Sequence, residues 1–540
     1  MRLLLFTTLF CTCIANPTVK TKFGDVAGFV ATGREGNEAD VFLGVPFAKP
    51  PIGELRFEKP EPLEPWTGTL NATKFGHVCI PHGRHAAFGH DYSEDCLTLN
   101  VVRPKDVDGT LPVLVWIHGG GYQVGSAPWH GYKAFVDNYV HRGIIVVSIQ
   151  YRLGFLGFFT DGTKNAPGNM GMFDQVMALK WIKENIADFG GDNQDITVWG
   201  YSAGASSTSF LTVSPYSRDL FQKSIIMSGS SLSRWSTGHQ TPSHSNEFAD
   251  YIGCSGKDVK KCLKERTIEE MFQAMDHIGL APPTVDFLKY TPVIDGDFLP
   301  KHPYDLMAES PRKPTIMGLS SKEFLFFSGL NLLREIHDVG KILHTEGLDH
   351  LKEPIMKLMV EHYIDSKPHN VSDNEFYFNQ YNKIFSDTNM NAPIIREMRR
   401  RLELGTDVWA YKLEYFNDIM FGEDFPEYAK GSPHVNEYHY LFEMTLIGEI
   451  DTTKGIDRDV KEVFMSFIAS FVRSGVPKVQ DVEWQKVDSP DNIPYLNIAH
   501  NLTLKRNLFE EESKLFEDIR KLGFDVVDPT FHVRHAKTEL

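Results

Sequence analysis

The chain of 540 residues carries 55 Lys and Arg against 71 Asp and Glu, a formal net charge of −16. That acidic balance argues against electrostatic binding to nucleic acid or to an anionic membrane, since both need a basic surface. With 42% hydrophobic and 23% charged residues the chain can bury a substantial core, which excludes intrinsic disorder as its main state.

From the N-terminus, Met1-Arg2 leads into a mostly apolar Leu3–Ile14 stretch, with small residues near Ala15. A positive start, a short apolar run and an A-x-A-like site read as a secretory signal peptide over 1–15; a buried first strand or an uncleaved anchor is the alternative. No internal run approaches the roughly 18 apolar residues of a membrane-spanning helix, so no transmembrane anchor is expected. Cleavage after Ala15 leaves Cys79, Cys96, Cys254 and Cys262. Of their three possible pairings, the spacing favours the sequential Cys79–Cys96 and Cys254–Cys262. None of these cysteines forms the close pair that a zinc site uses, and oxidised pairs fit a secretory compartment. Sequons at Asn71, Asn370 and Asn501 point the same way.

Further along, Leu111–His118, Ile144–Gln150, Ile196–Gly200 and Lys223–Ser228 read as buried strands, nearly continuous in Val, Ile, Leu and Trp. Between them, Val176, Leu179, Ile182 and Ile186 share one helical face over Asp174–Ile186. Val463, Phe467, Ile468 and Phe471 form a later stripe, ended by Gly475-Val476-Pro477. This alternation predicts an α/β fold with a large central, mostly parallel sheet flanked by helices. The stretch of about 240–400 reads as a helical insertion over that sheet, and no linker divides 16–536, which is expected to be one domain.

Two motifs carry chemistry. Gly200-Tyr201-Ser202-Ala203-Gly204 follows a strand and precedes a helix, the setting of a nucleophile elbow that lifts Ser202 clear of the sheet. His118-Gly119-Gly120-Gly121 follows another strand; consecutive glycines let backbone N–H groups face a developing oxyanion. The expected oxyanion donors are Gly120, Gly121 and Ala203. A flexible loop or a phosphate loop is the alternative for the glycines, but no G-K-[ST] follows. At the far end, Lys537-Thr538-Glu539-Leu540 differs by one residue from the K-D-E-L retrieval signal. With a signal peptide on the same chain, the expected location is the lumen of the endoplasmic reticulum, with a retrieval receptor as partner; a secreted protein with an incidental polar tail is the alternative.

Further segments align in order with one family: Gly44-Val45-Pro46-Phe47-Ala48, Leu55-Arg56-Phe57, Ser93-Glu94-Asp95-Cys96-Leu97, Asn169-Met170-Gly171 and Phe189-Gly190-Gly191-Asp192, with the two glycine motifs. Together they resemble the type-B carboxylesterases, the cholinesterase-like branch of the α/β-hydrolases. The resemblance implies a serine esterase for small-molecule esters that needs no cofactor and no metal. It implies Glu323 as the acid, in the loop after the strand-like Pro314–Met317, and His434 as the base, with nearby His439 a structural or surface histidine. It also implies Ser228 as a hydrogen-bond partner of the acid and Arg56–Glu94 as a buried ion pair. One departure is Tyr201, where the family usually carries Glu.

Cholinesterases place a Trp in the first disulfide loop to hold a quaternary ammonium. Here that loop carries His82, Arg84, His85, Phe88 and His90 and no Trp. A general carboxylesterase is therefore expected, with Trp235, Leu325 and Phe327 as candidate acyl-pocket residues. The competing reading is a non-catalytic adhesion protein of the neuroligin-like kind, disfavoured because serine, acid and histidine are all present.

Overall fold

The computed structural model describes residues 16–105, 109–256, 258–279, 288–329, 349–365, 367–442, 446–480 and 482–528. The signal-type segment 1–15 and the tail Lys537–Leu540 lie outside them.

The central sheet has eleven strands. In chain order they are β1 (Phe29–Thr32), β2 (Glu38–Pro46), β3 (Thr98–Pro104), β4 (Leu111–Ile117), β5 (Ile145–Ile149) and β6 (Gly191–Tyr201). They continue with β7 (Lys223–Met227), β8 (Thr315–Ser320), β9 (Val408–Leu413), β10 (Tyr495–Ile498) and β11 (Leu502–Lys505). The spatial order is β11-β10-β9-β8-β7-β6-β4-β5-β3-β2-β1. Every pairing from β5 through β4 and β6 to β10 is parallel, and the pairings at both margins are antiparallel.

The central strands β4, β5, β7 and β8 are mostly apolar and buried because both faces are covered, whereas the margin strand β11 is largely exposed. Along β4, Val113, Val115 and Ile117 enter one core while Leu114 and Trp116 enter the other. The first core is closed by helix α1 (Met170–Asn185), through Val176, Leu179 and Ile182. The second is closed by helix α3 (Gly455–Ser474), through Val463, Phe467, Ile468 and Phe471. Helix α2 (Ala203–Val213) starts directly after β6. As expected, α3 stops at Gly475, whose φ of 75° ends the helix in the left-handed region.

Three expectations need adjustment. Strand β6 starts at Gly191, five residues before the expected Ile196, with a register shift between those residues. The helix expected over Asp174–Ile186 starts earlier, at Met170. The stretch 240–400 is not one insertion, since β8 passes through it and joins the sheet between β7 and β9. Both expected disulfides form, Cys79–Cys96 and Cys254–Cys262, with Cα separations of 5.0 and 5.4 Å. Among the described residues no helix is long and apolar enough to cross a membrane.

Candidate active site

Ser202 occupies the one-residue turn between β6 and α2, with φ 57° and ψ −124°. A non-glycine residue there is strained, so the surroundings must enforce it. They do so by close approach. A Cβ on Gly200 would lie 2.0 Å from the Gly204 carbonyl oxygen, and one on Gly204 would lie 2.1 Å from that of Ile117. On a third side, a Cβ on Gly229 would sit 2.3 Å from the Ser202 carbonyl oxygen. The Ser202 N–H donates to Met227 at 2.9 Å, and the Ser202 carbonyl accepts from Ser206 at 2.9 Å. The side chain of the turn residue is left partly exposed while its neighbours Tyr201 and Ala203 are buried. Ala203 is the first residue of α2, so its N–H has no intrahelical acceptor and sits at the positive helix end.

The glycine loop runs beside this turn. A Cβ on Gly119 would lie 2.6 Å from the Tyr201 carbonyl oxygen and 3.1 Å from the Ser202 Cβ. Gly120 and Gly121 have φ of 111° and 63°, conformations that glycine adopts without strain. The loop is held from behind: Tyr151 donates to the His118 carbonyl at 2.9 Å, and His118 Nδ1 lies 2.9 Å from the Gly119 carbonyl. Burial pushes His118 down to about 4, so its imidazole is neutral and its Nδ1–H donates to that carbonyl.

Glu323 follows β8 and is fully buried. Its Oε2 is 2.6 Å from His434 Nδ1. Its Oε1 accepts from Ser228 Oγ at 2.7 Å and from the Ser320 N–H at 2.6 Å. The structure thus brings together Glu323, His434 and Ser228, which the resemblance had grouped. The loops are also joined through the main chain: Lys322 N–H donates to Ser432 at 2.8 Å and His434 N–H to Glu323 at 3.2 Å. The His434 ring packs against Tyr201 (centroids 5.0 Å apart) and Phe327 (5.4 Å).

Several residues around this cluster were assigned no role by sequence. Lys322 is half-buried, and its Nζ donates to the carbonyls of Tyr428 and Ala429, both at 3.2 Å, and to Asn379 Oδ1 at 3.0 Å. Glu437 is a second buried carboxyl close to Glu323. It accepts from Tyr201 OH at 2.8 Å, from Ser320 Oγ at 3.0 Å and from Tyr411 OH at 3.3 Å. Burial, and then the charge of Glu323, push it up to about 7. The only sequence signal for this group was the departure at Tyr201.

The remaining candidates divide. His439 is buried, with Nδ1 3.1 Å from the Asn436 carbonyl and Nε2 2.6 Å from that of Ile447, which holds two loops together. Leu325 is buried, and Phe327 is the acyl-pocket candidate whose ring faces His434. Trp235 is buried and donates Nε1–H to the Asn389 carbonyl at 2.9 Å. Arg56 forms a two-bond pair with Glu94 at 2.5 and 2.6 Å and also donates to the Arg266 carbonyl at 2.6 Å. It thereby ties the first disulfide loop to the chain just after the second. Within the first disulfide loop, His85, Phe88 and His90 are exposed. His82 is buried against Tyr290, and burial pushes it down to about 3.

Comparison with known proteins agrees with this geometry. The family model described as the carboxylesterase family matches residues 15–516. Gut esterase 1 of Caenorhabditis briggsae is 43% identical over 563 residues, covering 100% of this chain and 99% of the relative. Gut esterase 1 of Caenorhabditis elegans is 42% identical, covering 98% and 97%. Liver carboxylesterase 1 of Oryctolagus cuniculus is 30% identical, covering 94% of each. With a parallel-centred sheet, a nucleophile-type turn and a buried acid–histidine pair in the order that fold requires, the chain belongs to the carboxylesterase family, the carboxylic ester hydrolases of the α/β-hydrolase fold.

Proposed function

We propose that Ser202 is the nucleophile of this carboxylesterase, His434 its general base and acid, and Glu323 the carboxylate that orients the histidine. The observation that carries this reading is the 2.6 Å contact between His434 Nδ1 and Glu323 Oε2 in the loops packed beside the Ser202 turn. A proton on Nδ1 leaves Nε2 with a lone pair, the tautomer a base needs. Ser202 Oγ attacks the ester carbonyl as His434 takes its proton. The oxyanion forms against the N–H groups of Gly120, Gly121 and Ala203. His434 protonates the departing alcohol, and a water activated by the same histidine releases the acid. Ser228 Oγ and the Ser320 N–H donate to Glu323 Oε1 and hold the carboxyl group in place, with Oε2 toward His434.

The substrate reading is a broad range of small esters with apolar acyl groups. Phe326 and Phe327 pack near His434, and the loop Cys79–Cys96 has no Trp to hold a quaternary ammonium. For location, the reading is the lumen of the endoplasmic reticulum: signal peptide over 1–15, glycans at Asn71, Asn370 and Asn501, and retrieval through Lys537–Leu540. All three asparagines are exposed. A fluorophosphonate probe tests the chemistry. Peptide mapping should place the adduct on Ser202, and Ser202→Ala protein should take up no probe; labelling elsewhere would refute the assignment. Location is tested by expressing full-length and 1–536 chains in secretory cells. Because Thr538 replaces the Asp of the signal, retrieval predicts partial leakage of the full-length chain but much greater accumulation of the shortened chain in the medium, and equal distribution would refute it.

A further inference from the structure

A single buried hydroxyl connects the two reacting residues. Tyr201 immediately precedes Ser202, and Val435 immediately follows His434. Tyr201 OH accepts the Val435 N–H at 2.7 Å and donates to Glu437 Oε2 at 2.8 Å. Val435 has φ 70°. In a β-branched residue that left-handed conformation is a steric outlier, and it persists only where neighbours hold it. The backbone on either side of it sets where the His434 ring points.

We infer that Tyr201 is a positioning residue for the reaction. Its hydroxyl, oriented by Glu437, holds the strained Val435 and thereby fixes His434 relative to the Ser202 turn. The inference rests on the assignment of Ser202 and His434 made above. Three features support it. First, Tyr201 is fully buried, so no water competes for the Val435 N–H, and loss of the hydroxyl leaves that donor unsatisfied. Second, the Tyr201 ring also packs against the His434 imidazole, so ring and hydroxyl act on the same loop. Third, Glu437 is held from three elements, by Tyr201 at the end of β6, Ser320 at the end of β8 and Tyr411 of β9, which makes it a rigid acceptor. The titratable groups around Glu437 are Tyr201, Tyr411, Glu323, Tyr438 and Tyr440. A carboxyl oxygen accepts from Tyr201 whether or not Glu437 carries a proton, so the support does not depend on its charge.

The experiment is a double-mutant cycle read in kcat and KM for p-nitrophenyl butyrate, using Tyr201→Phe and Val435→Gly in the full-length protein. Glycine adopts a φ near 70° without strain, so the loop in Val435→Gly should no longer need the hydroxyl. Tyr201→Phe is expected to lower kcat at least tenfold with KM within twofold. The same substitution made on top of Val435→Gly should cost threefold or less. An equal cost in both backgrounds, or an unchanged kcat in Tyr201→Phe, would overturn the inference. If Tyr201→Phe alone does not fold, the comparison of the double variant with Val435→Gly decides it by the same limits. Wild-type protein that neither hydrolyses the ester nor binds a fluorophosphonate would overturn the assignment of Ser202 instead, and is distinguishable because every variant would then read zero.

Discussion

The Lys322 amide donates to the Ser432 carbonyl at 2.8 Å, and through that bond the acid loop and the histidine loop share one main-chain register. The Lys322 side chain extends the link, reaching Asn379, Tyr428 and Ala429. Gly431 makes room for it, since a Cβ there would lie 2.5 Å from Lys322 Cδ. Removing the ammonium strands two carbonyls in a half-buried place, a loss of about 1–3 kcal/mol. Lys322→Ala should therefore lower the melting temperature and reduce kcat together, because the Glu323–His434 geometry loosens with the loops. Thermal melting and ester kinetics check this. Full stability with full kcat would show that the clamp is dispensable.

The two neighbouring histidines should separate cleanly. His434→Ala removes the proposed base and is expected to lose several orders of magnitude in kcat, on the scale of Ser202→Ala, since such residues act as a unit. His439→Ala removes the ring contacts with the Asn436 and Ile447 carbonyls and should cost stability with a far smaller loss of kcat. Kinetics on folded variants, verified by melting, decide the ranking. The opposite order would mean that the base has been misplaced.

Acid should destabilise the fold through buried histidines. Burial pushes His82 and His130 down to about 3 and His118 to about 4. In the unfolded chain each titrates near about 6.5, so below that pH the unfolded state binds protons that the native state refuses. Their contribution is present above about 6.5 and is lost as pH falls toward 4, on the order of 1 kcal/mol per pH unit for each. Glu437, pushed up to about 7, acts with the opposite sign: it holds a proton that the unfolded chain releases, so its contribution falls as pH rises through 7. Three histidines outweigh one carboxyl, and the melting temperature should fall between pH 7 and pH 5. A flat or rising melting temperature over that window, measured by scanning calorimetry, would contradict the burial assigned to these rings.

Much of this was legible in the residues because the physical demands are local. The β6–Ser202–α2 turn needs glycines where backbones nearly touch, and Gly200 and Gly204 announce it. The central strands announce themselves because both faces are covered. The start of β6 was hidden because Asp192-Asn193-Gln194-Asp195 is polar and the register shifts within it. Glu323 and His434 lie 111 residues apart, and no spacing rule joins them; only the family resemblance did. Lys322, Ser320 and Glu437 escaped notice because their role is tertiary. Each satisfies groups contributed by other segments, and a lysine or glutamate at such a site looks in sequence like any surface charge.

The central claim is that ester hydrolysis passes through an acyl group on Ser202. Rapid mixing with p-nitrophenyl butyrate, acid quench and peptide mass mapping test it directly. The account predicts a burst of nitrophenol of up to one equivalent of enzyme and a butyryl adduct on the peptide containing Ser202, with both absent in Ser202→Ala. An adduct on another residue, or undiminished turnover in folded Ser202→Ala protein, would contradict it.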